Sequence, residues 1–191
     1  FGAIDNNEGG QTSRTNFTIK AISILPNNAT LENQIFYTHY NFELYSNFTF
    51  FKTDSINGDQ IKQKESRNIV GYNGAYIKDM FFDNDASLQS KLGMTARYDN
   101  INPLELSRTL NRTLLTEALS NSKGDELNLA FYWSETFKKN RFTINGAMRF
   151  DHFAFGYTNI LETLPYKAVH KAIVSPKLNV QYQLNQSSAL Y

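Results

Sequence analysis

The chain has no cysteine, so a disulfide framework and a thiolate metal site are both excluded. No apolar run approaches the eighteen or so residues of a transmembrane helix, and mean hydropathy is −0.46. Charge of one sign is lacking too: 19 basic and 18 acidic residues are interspersed and leave a net +1. Without a basic stripe there is no electrostatic footprint for nucleic acid. Tryptophan occurs once. No glycine-rich phosphate loop and no nucleophile elbow is present, so the chain reads as non-enzymatic and without a cofactor. The 3 histidines, His39, His152 and His170, are scattered and show no metal-ligand spacing.

Aromatic residues, by contrast, are plentiful, with 15 Phe and 11 Tyr, which suits strands. Alternation is the stronger signal. Leu127, Leu129, Phe131, Trp133 and Phe137 fall on one parity, against Asn128, Ala130, Tyr132, Ser134 and Thr136. After Lys138-Lys139-Asn140, a second run sets Phe142, Ile144, Gly146, Met148 and Phe150 against Arg141, Thr143, Asn145, Ala147 and Arg149. A third sets Val174, Leu178, Val180 and Tyr182 against Ser175, Lys177, Asn179 and Gln181. Period two means strand, because successive side chains point to opposite faces of a sheet. Soluble sandwich strands usually run about 5–6 residues. A membrane strand needs roughly 9–11, with its apolar face in lipid and its polar face toward a wet interior. The long, polar alternation here fits the second.

Taken in order, residues 1–11 read as loop and 13–25 as a strand. A tight turn at Pro26-Asn27-Asn28 precedes a long strand over 30–51, with Phe36, Tyr40, Phe42 and Leu44 on one parity. Residues 52–67 are polar loop with a turn at Asn57-Gly58-Asp59. A strand over 68–80 puts Val70, Tyr72, Gly74 and Tyr76 on one face, and Asp83-Asn84-Asp85 makes a short turn. The strand over 87–99 sets Leu88, Leu92, Met94, Ala96 and Tyr98 against Gln89, Lys91, Thr95, Arg97 and Asp99. Residues 100–124 are expected to be the longest connection, part of it a short amphipathic helix built on Leu104, Leu106, Leu110, Leu114, Leu115 and Leu119. A loop over 159–171 and a turn at Asn185-Gln186-Ser187 complete the series, and a last strand begins at Leu190. Short connections (Pro26, Asp83, Lys138, Asn185) alternate strictly with long ones (Lys52, Asn100, Asn159, and the opening segment). Outer-membrane barrels sort their connections this way, short on the periplasmic side and long outside. The expectation is an all-β fold: an antiparallel meander of about eight long strands, part of a large transmembrane β-barrel. Residues 150–157, aromatic on both parities, are expected to rise beyond the membrane.

Residues 142–159 (FTINGAMRFDHFAFGYTN) and 173–191 (IVSPKLNVQYQLNQSSALY) resemble the barrel domain of TonB-dependent outer-membrane receptors, of the kind common in Bacteroidetes. So do 1–14 and 57–76. The resemblance implies that residues 1–191 are part of a plugged barrel of about 22 strands, in the outer membrane of a Gram-negative bacterium. The plug, the TonB-contacting segment and the remaining strands are expected elsewhere in a longer chain. Its implied task is energy-dependent import of a scarce ligand such as an iron chelate, cobalamin or an oligosaccharide, and its implied partners are lipid, the plug, TonB and that small molecule.

The luminal parity then holds Lys91, Arg97, Asp99, Arg149, Asp151 and Lys177, which are candidates for contact with plug or ligand. Tyr157, with Phe155, joins them beside a long loop. Asp151 and His152 fall on opposite faces and cannot serve one site, with or without Glu135. The five Asn-x-Ser/Thr matches, such as Asn47-Phe48-Thr49, are chance in an Asn-rich chain, and Asn57-Gly58-Asp59 lacks the spacing of a calcium loop. A soluble all-β ligand- or carbohydrate-binding module is the competing reading, and requires the apolar parity to face a closed core. One substitution pair separates them. Leu129→Asp in the intact protein is expected to impair membrane insertion while Asn128→Asp is tolerated; equal tolerance, read by membrane fractionation, would favour the soluble module.

Overall fold

The computed structural model describes residues 5–83, 85–162 and 165–191. Residues 1–4, Asn84, Thr163 and Leu164, which several of the expected loops include, lie outside the described residues. One eight-stranded antiparallel sheet is formed, with every strand beside its neighbours in sequence. The strands are β1 (Gly9–Leu25), β2 (Ala29–Ser46), β3 (Ile61–Phe82), β4 (Ala86–Leu110), β5 (Leu114–Lys139), β6 (Phe142–Asn159), β7 (Lys167–Gln183) and the short β8 (Ala189–Leu190). The expected meander is therefore the fold.

The segment 100–124 is a correction. No helix forms there; β4 and β5 continue through it to 25 and 26 residues, more than twice the length a bilayer requires. Asn111 and Arg112 turn the chain with φ of 50° and 62°, and the Thr113 amide donates to the Leu110 carbonyl at 3.1 Å. Two consecutive positive φ values make a type I′ turn, whose twist matches that of the strands. The helical look of the leucines has a cause. Register shifts between Ile101 and Leu104, Leu106 and Ser107, and Arg108 and Thr109 interrupt the period of two, and bulges of this kind blur alternation. The loop expected over 52–67 is displaced as well and occupies 47–60, because β2 ends at Ser46 and β3 begins at Ile61.

Continuous register carries each face across the sheet. Ile35, Tyr72, Ala96, Leu129, His152 and Ala172 form one cross-strand row. Phe36, Gly71, Arg97, Asn128, Phe153 and Lys171 form the next, on the opposite face. The first face is apolar and uncovered: Phe131 is 59% exposed and Leu178 72%. Among the described residues the buried apolar ones are Ala29, Ile69, Ala75 and Ala130. A single layer with so small a core lacks the apolar burial, worth about 25 cal/mol per Å², that stabilises a fold in water. Its apolar face needs lipid or another layer.

The aromatic parity of β2 lies on the polar face, in the same row system as Arg97 and Asn128. Phe36 lays its ring across Gly71 of β3, where a Cβ would overlap it, and Tyr132 does the same over Gly93 of β4. A ring over a cross-strand glycine supplies the contacts the glycine lacks. Gly93→Val is expected to expel the Tyr132 ring and to cost about 1–3 kcal/mol, the range for overpacking. A Cβ at Gly146 meets nothing, so Gly146→Val is expected to stay within about 0.5 kcal/mol; urea midpoints of the folded barrel compare the two.

Candidate functional site

Two Arg–aromatic–Asp triplets dominate the polar face: Arg97-Tyr98-Asp99 on β4 and Arg149-Phe150-Asp151 on β6. Period two puts the Arg and Asp of each on one side and the aromatic on the other. Arg97 Nε and Nη2 donate to Asp99 at 2.6 and 2.7 Å, and Arg149 Nε and Nη2 donate to Asp151 at 2.8 Å each. This is the two-pronged geometry that makes guanidinium–carboxylate pairs strong. Asp99 is fully buried and takes a further bond from Arg67 Nη1 of β3 at 3.2 Å. Arg67 also donates from Nε to Glu65 at 2.7 Å. A buried carboxylate left unpaired would cost several kcal/mol, so these donors hold the position. Asp151 accepts from Asn128 Nδ2 on β5 at 3.4 Å, while Arg149 Nη2 donates to Thr95 Oγ1 of β4 at the same distance. Strands β3 to β6 are thereby cross-linked by side chains as well as by backbone.

Lys91, Ser134, Ala147 and Lys177 form a cross-strand row on the same face. Lys91 Nζ lies 5.8 Å from the Tyr132 ring centroid, within cation–π range. Lys91, Tyr132, Ala147, Arg149, Ser175 and Lys177 border a cavity of about 480 Å³. Among the described residues, Lys91, Lys171 and Lys177 enter no ion pair.

All seven expected site residues lie on the polar face, spread along the strands. Lys91 and Lys177 share the lowest of their cross-strand rows, Arg149 lies one row above, and Asp151, Arg97 and Asp99 follow in successive rows, so that Lys91 and Asp99 are roughly 26 Å apart along β4, at about 3.3 Å per residue. Tyr157 is one row above Asp99, with its hydroxyl 2.8 Å from Ser122 Oγ. Phe155 stacks on Phe153 at 5.9 Å. Sequence reasoning missed Arg67, Thr95, Asn128 and Tyr132. The register shift between Glu65 and Arg67 hid the face of the first, while repetition of Arg–x–Asp was the signal for the pairing. His152 and Glu135 lie on the apolar face, apart from Asp151. His170 is not isolated, because its ring stacks on His152 at 5.6 Å. No group of three potential metal ligands occurs among the described residues. Since Asn128 serves Asp151, an aspartate at 128 would meet a carboxylate, and Gln181→Glu is the better polar-face control for Leu129→Asp.

At the end carrying the longer connections, the loop 47–60 is organised by its own acids. Asp54 accepts from the Ile56 and Asn57 amides at 2.9 Å each. Asp59, buried, accepts from the Thr53 and Asp54 amides at 2.9 and 2.8 Å. The expected turn at Asn57-Gly58-Asp59 is present, with Gly58 at φ 81°, but Asp59 does more than turn the chain. Arg112, at the tip of the β4–β5 hairpin, reaches over to donate to the Asn7 carbonyl at 2.6 Å and to the Glu8 carbonyl. Gln60 Oε1 accepts from the Arg112 amide at 2.9 Å and from Thr109 Oγ1 at 3.1 Å. The rim is thus tied to the tallest hairpin.

A family model described as TonB dependent receptor-like, beta-barrel, matches residues 2–191. No curated protein matches the chain. Among solved structures, the ferric citrate transporter FecA in its unliganded form aligns with a TM-score of 0.74 at 15% identity, over 93% of this chain and 26% of that one. The ferric-catecholate import receptor Fiu of E. coli K12, in its open form, gives 0.74 at 12%, over 95% and 35%. BauA, the ferric preacinetobactin receptor of Acinetobacter baumannii, gives 0.70 at 10%, over 92% and 29%. The chain spans about a quarter to a third of their length, and at these identities the likeness is one of fold.

The rim carries a pH dependence. Burial pushes the Asp59 carboxyl up, but the Thr49 hydroxyl and the Asp54 and Thr53 amides outweigh it and hold the group down at about 2. A depressed folded value means stability that is fully present above the ordinary carboxylate range near 3.9 and lost as pH falls toward 2. Hydrogen exchange is therefore expected to show the Thr53 and Asp54 amides fully protected above about pH 4 and losing protection progressively as pH falls toward 2. Asp59→Asn, which keeps only one acceptor oxygen, is expected to release one of them already at neutral pH.

Proposed function

Because the chain belongs to the TonB-dependent receptor-like β-barrel family, we propose that it builds part of the wall of a receptor that imports an iron chelate. The family sets the location, the outer membrane of a Gram-negative bacterium, and the class, a transport protein rather than an enzyme. In this reading the apolar face meets lipid and the polar face lines the lumen around a plug. The end with residues 26–28 and 140–141 is periplasmic, and the end with 47–60 and the β4–β5 tip is extracellular. The plug and the contact with TonB, which couples import to energy, belong to the rest of the receptor. The soluble module needs its apolar parity closed on a core, and the exposure of Phe131 and Leu178 speaks against it.

Charge is the observation that favours an iron chelate over cobalamin or an oligosaccharide. Lys91, Lys171 and Lys177 are uncompensated cations on the luminal wall, and a cleft lined by one sign of charge concentrates ligands of the other. Many ferric chelates are anions. That the three solved structures are named for ferric ligands supports the same class. Uptake of radiolabelled ferric chelates by iron-starved cells carrying the intact receptor is the test. Lys91→Glu with Lys177→Glu is expected to lower uptake several-fold at an unchanged amount of folded barrel. Uptake confined to cobalamin or an oligosaccharide would replace the ligand, and uptake unaffected by the charge reversal would assign the two lysines to the plug.

A further inference from the structure

The apolar face is not smooth. Between β2 and β6 it holds a groove of about 530 Å³ walled by Leu31, Tyr76, Leu92, Met94, Phe131 and Trp133. Two residues open it. Gly74 leaves its place on this face empty, and the Tyr72 ring lies down beside it, so that a Cβ at Gly74 would collide with the Tyr72 hydroxyl. That hydroxyl donates to Asn33 Oδ1 at 2.6 Å, which pins the ring along the wall instead of letting it stand out from the wall. From Tyr76 to Tyr72 the groove follows β3 for about 13 Å, at about 3.3 Å per residue.

The end of the groove nearer the periplasmic turns is polar. Lys78, Ser90 and Glu135 are direct cross-strand neighbours on the same face, one step below the row of Tyr76, Leu92 and Trp133. Glu135 accepts from Ser90 Oγ at 2.7 Å and from Trp133 Nε1 at 2.6 Å. Lys78 enters no ion pair among the described residues. It sits beside the β1–β2 turn, where the Asp79 amide donates to the Asn28 carbonyl at 3.0 Å. Charged side chains on the lipid face of a barrel are destabilising away from the interfaces. A cation and an anion flanking a serine, at the foot of an apolar groove, therefore call for a partner that carries both charges and a hydrocarbon chain.

We propose that this is a binding site for one zwitterionic phospholipid of the periplasmic leaflet. Its phosphate is held by Lys78, its ammonium by Glu135, and an acyl chain fills the groove as far as Tyr72. The site rests on the reading of the apolar face as lipid-facing and adds to it a particular lipid in a particular place. Glu135 selects against a headgroup without an ammonium, such as a glycerol headgroup.

Native mass spectrometry of the intact receptor, purified from outer membranes in mild detergent, tests this. The wild-type protein is expected to carry one phosphatidylethanolamine. Met94→Trp, which fills the groove, and Lys78→Glu, which removes the phosphate contact, are each expected to lower the bound fraction about tenfold, the effect of about 1.4 kcal/mol. Leu178→Trp, on the same face but outside the groove, is expected to leave it unchanged. A wild-type receptor without bound phospholipid overturns the site, as does retention at the wild-type level by both variants or equal loss in all three. Heat-modifiable migration on gels reports membrane insertion separately, so failure of Leu129→Asp to disturb insertion counts against the lipid-facing reading, whereas lipid loss is scored only on inserted protein.

Discussion

In hydrocarbon an unpaired backbone amide or carbonyl has no water to fall back on, and each costs several kcal/mol. That one constraint accounts for the plainest features of this chain. All eight strands follow one another in space as in sequence, because a hairpin meander pairs each new strand with the one before it. Long uninterrupted ladders follow, and irregularity is pushed away from the short turns at residues 26–28 and 140–141. The register shifts lie between Glu65 and Arg67 and above Ile101, in the upper part of the wall, where water can satisfy what the ladder does not.

The same constraint sorts the charges. A barrel wall is one layer thick, so a side chain has only two choices, lipid or lumen. Asp99 and Asp151 take the polar face and are nearly sealed off by the arginines two residues before them on the same strand. These couples span neighbouring strands through Arg67, Thr95 and Asn128, so the wall is stiffened on its wet face while its dry face remains apolar. The lysines at 91, 171 and 177, on the same face, enter no ion pair among the described residues. Where a charge does stand on the outer face, as Glu135 does, it is bracketed by an indole and a hydroxyl and lies one serine away from a lysine.

Two misreadings from sequence have physical causes. The leucines over 104–119 were expected to include a short helix because three register shifts fall among them, and the period of two cannot survive an extra residue. The strand expected over 30–51 ends at Ser46, and its aromatic parity shares a face with Arg97. Alternation distinguishes two faces but does not label them. The label for β2 comes from Phe36 lying over Gly71, a contact between strands that no local pattern contains. Asp59 is a similar case: as part of Asn57-Gly58-Asp59 it announces a turn, but its role as acceptor for the Thr53 and Asp54 amides depends on the whole loop closing around it.

By itself the sequence determined that this is a strand protein with one dry and one wet face, because side-chain alternation is a property of the backbone and needs no partner. It also placed the short turns at residues 26–28 and 140–141, whereas the connection expected to be long between β4 and β5 closes in a tight turn at Asn111 and Arg112. That Lys91, Arg97, Asp99, Arg149, Asp151, Tyr157 and Lys177 share the polar face was legible for the same reason. Only the tertiary structure decided which of these residues meet. Arg67 reaches Asp99, Lys91 and Lys177 flank one cavity, Tyr157 stands one row from Asp99 and well above that cavity, and Gly74 opens a groove beneath Tyr72. Those relations are set by register between strands that lie tens of residues apart, and register is a sum over many cross-strand contacts rather than a property of any one of them.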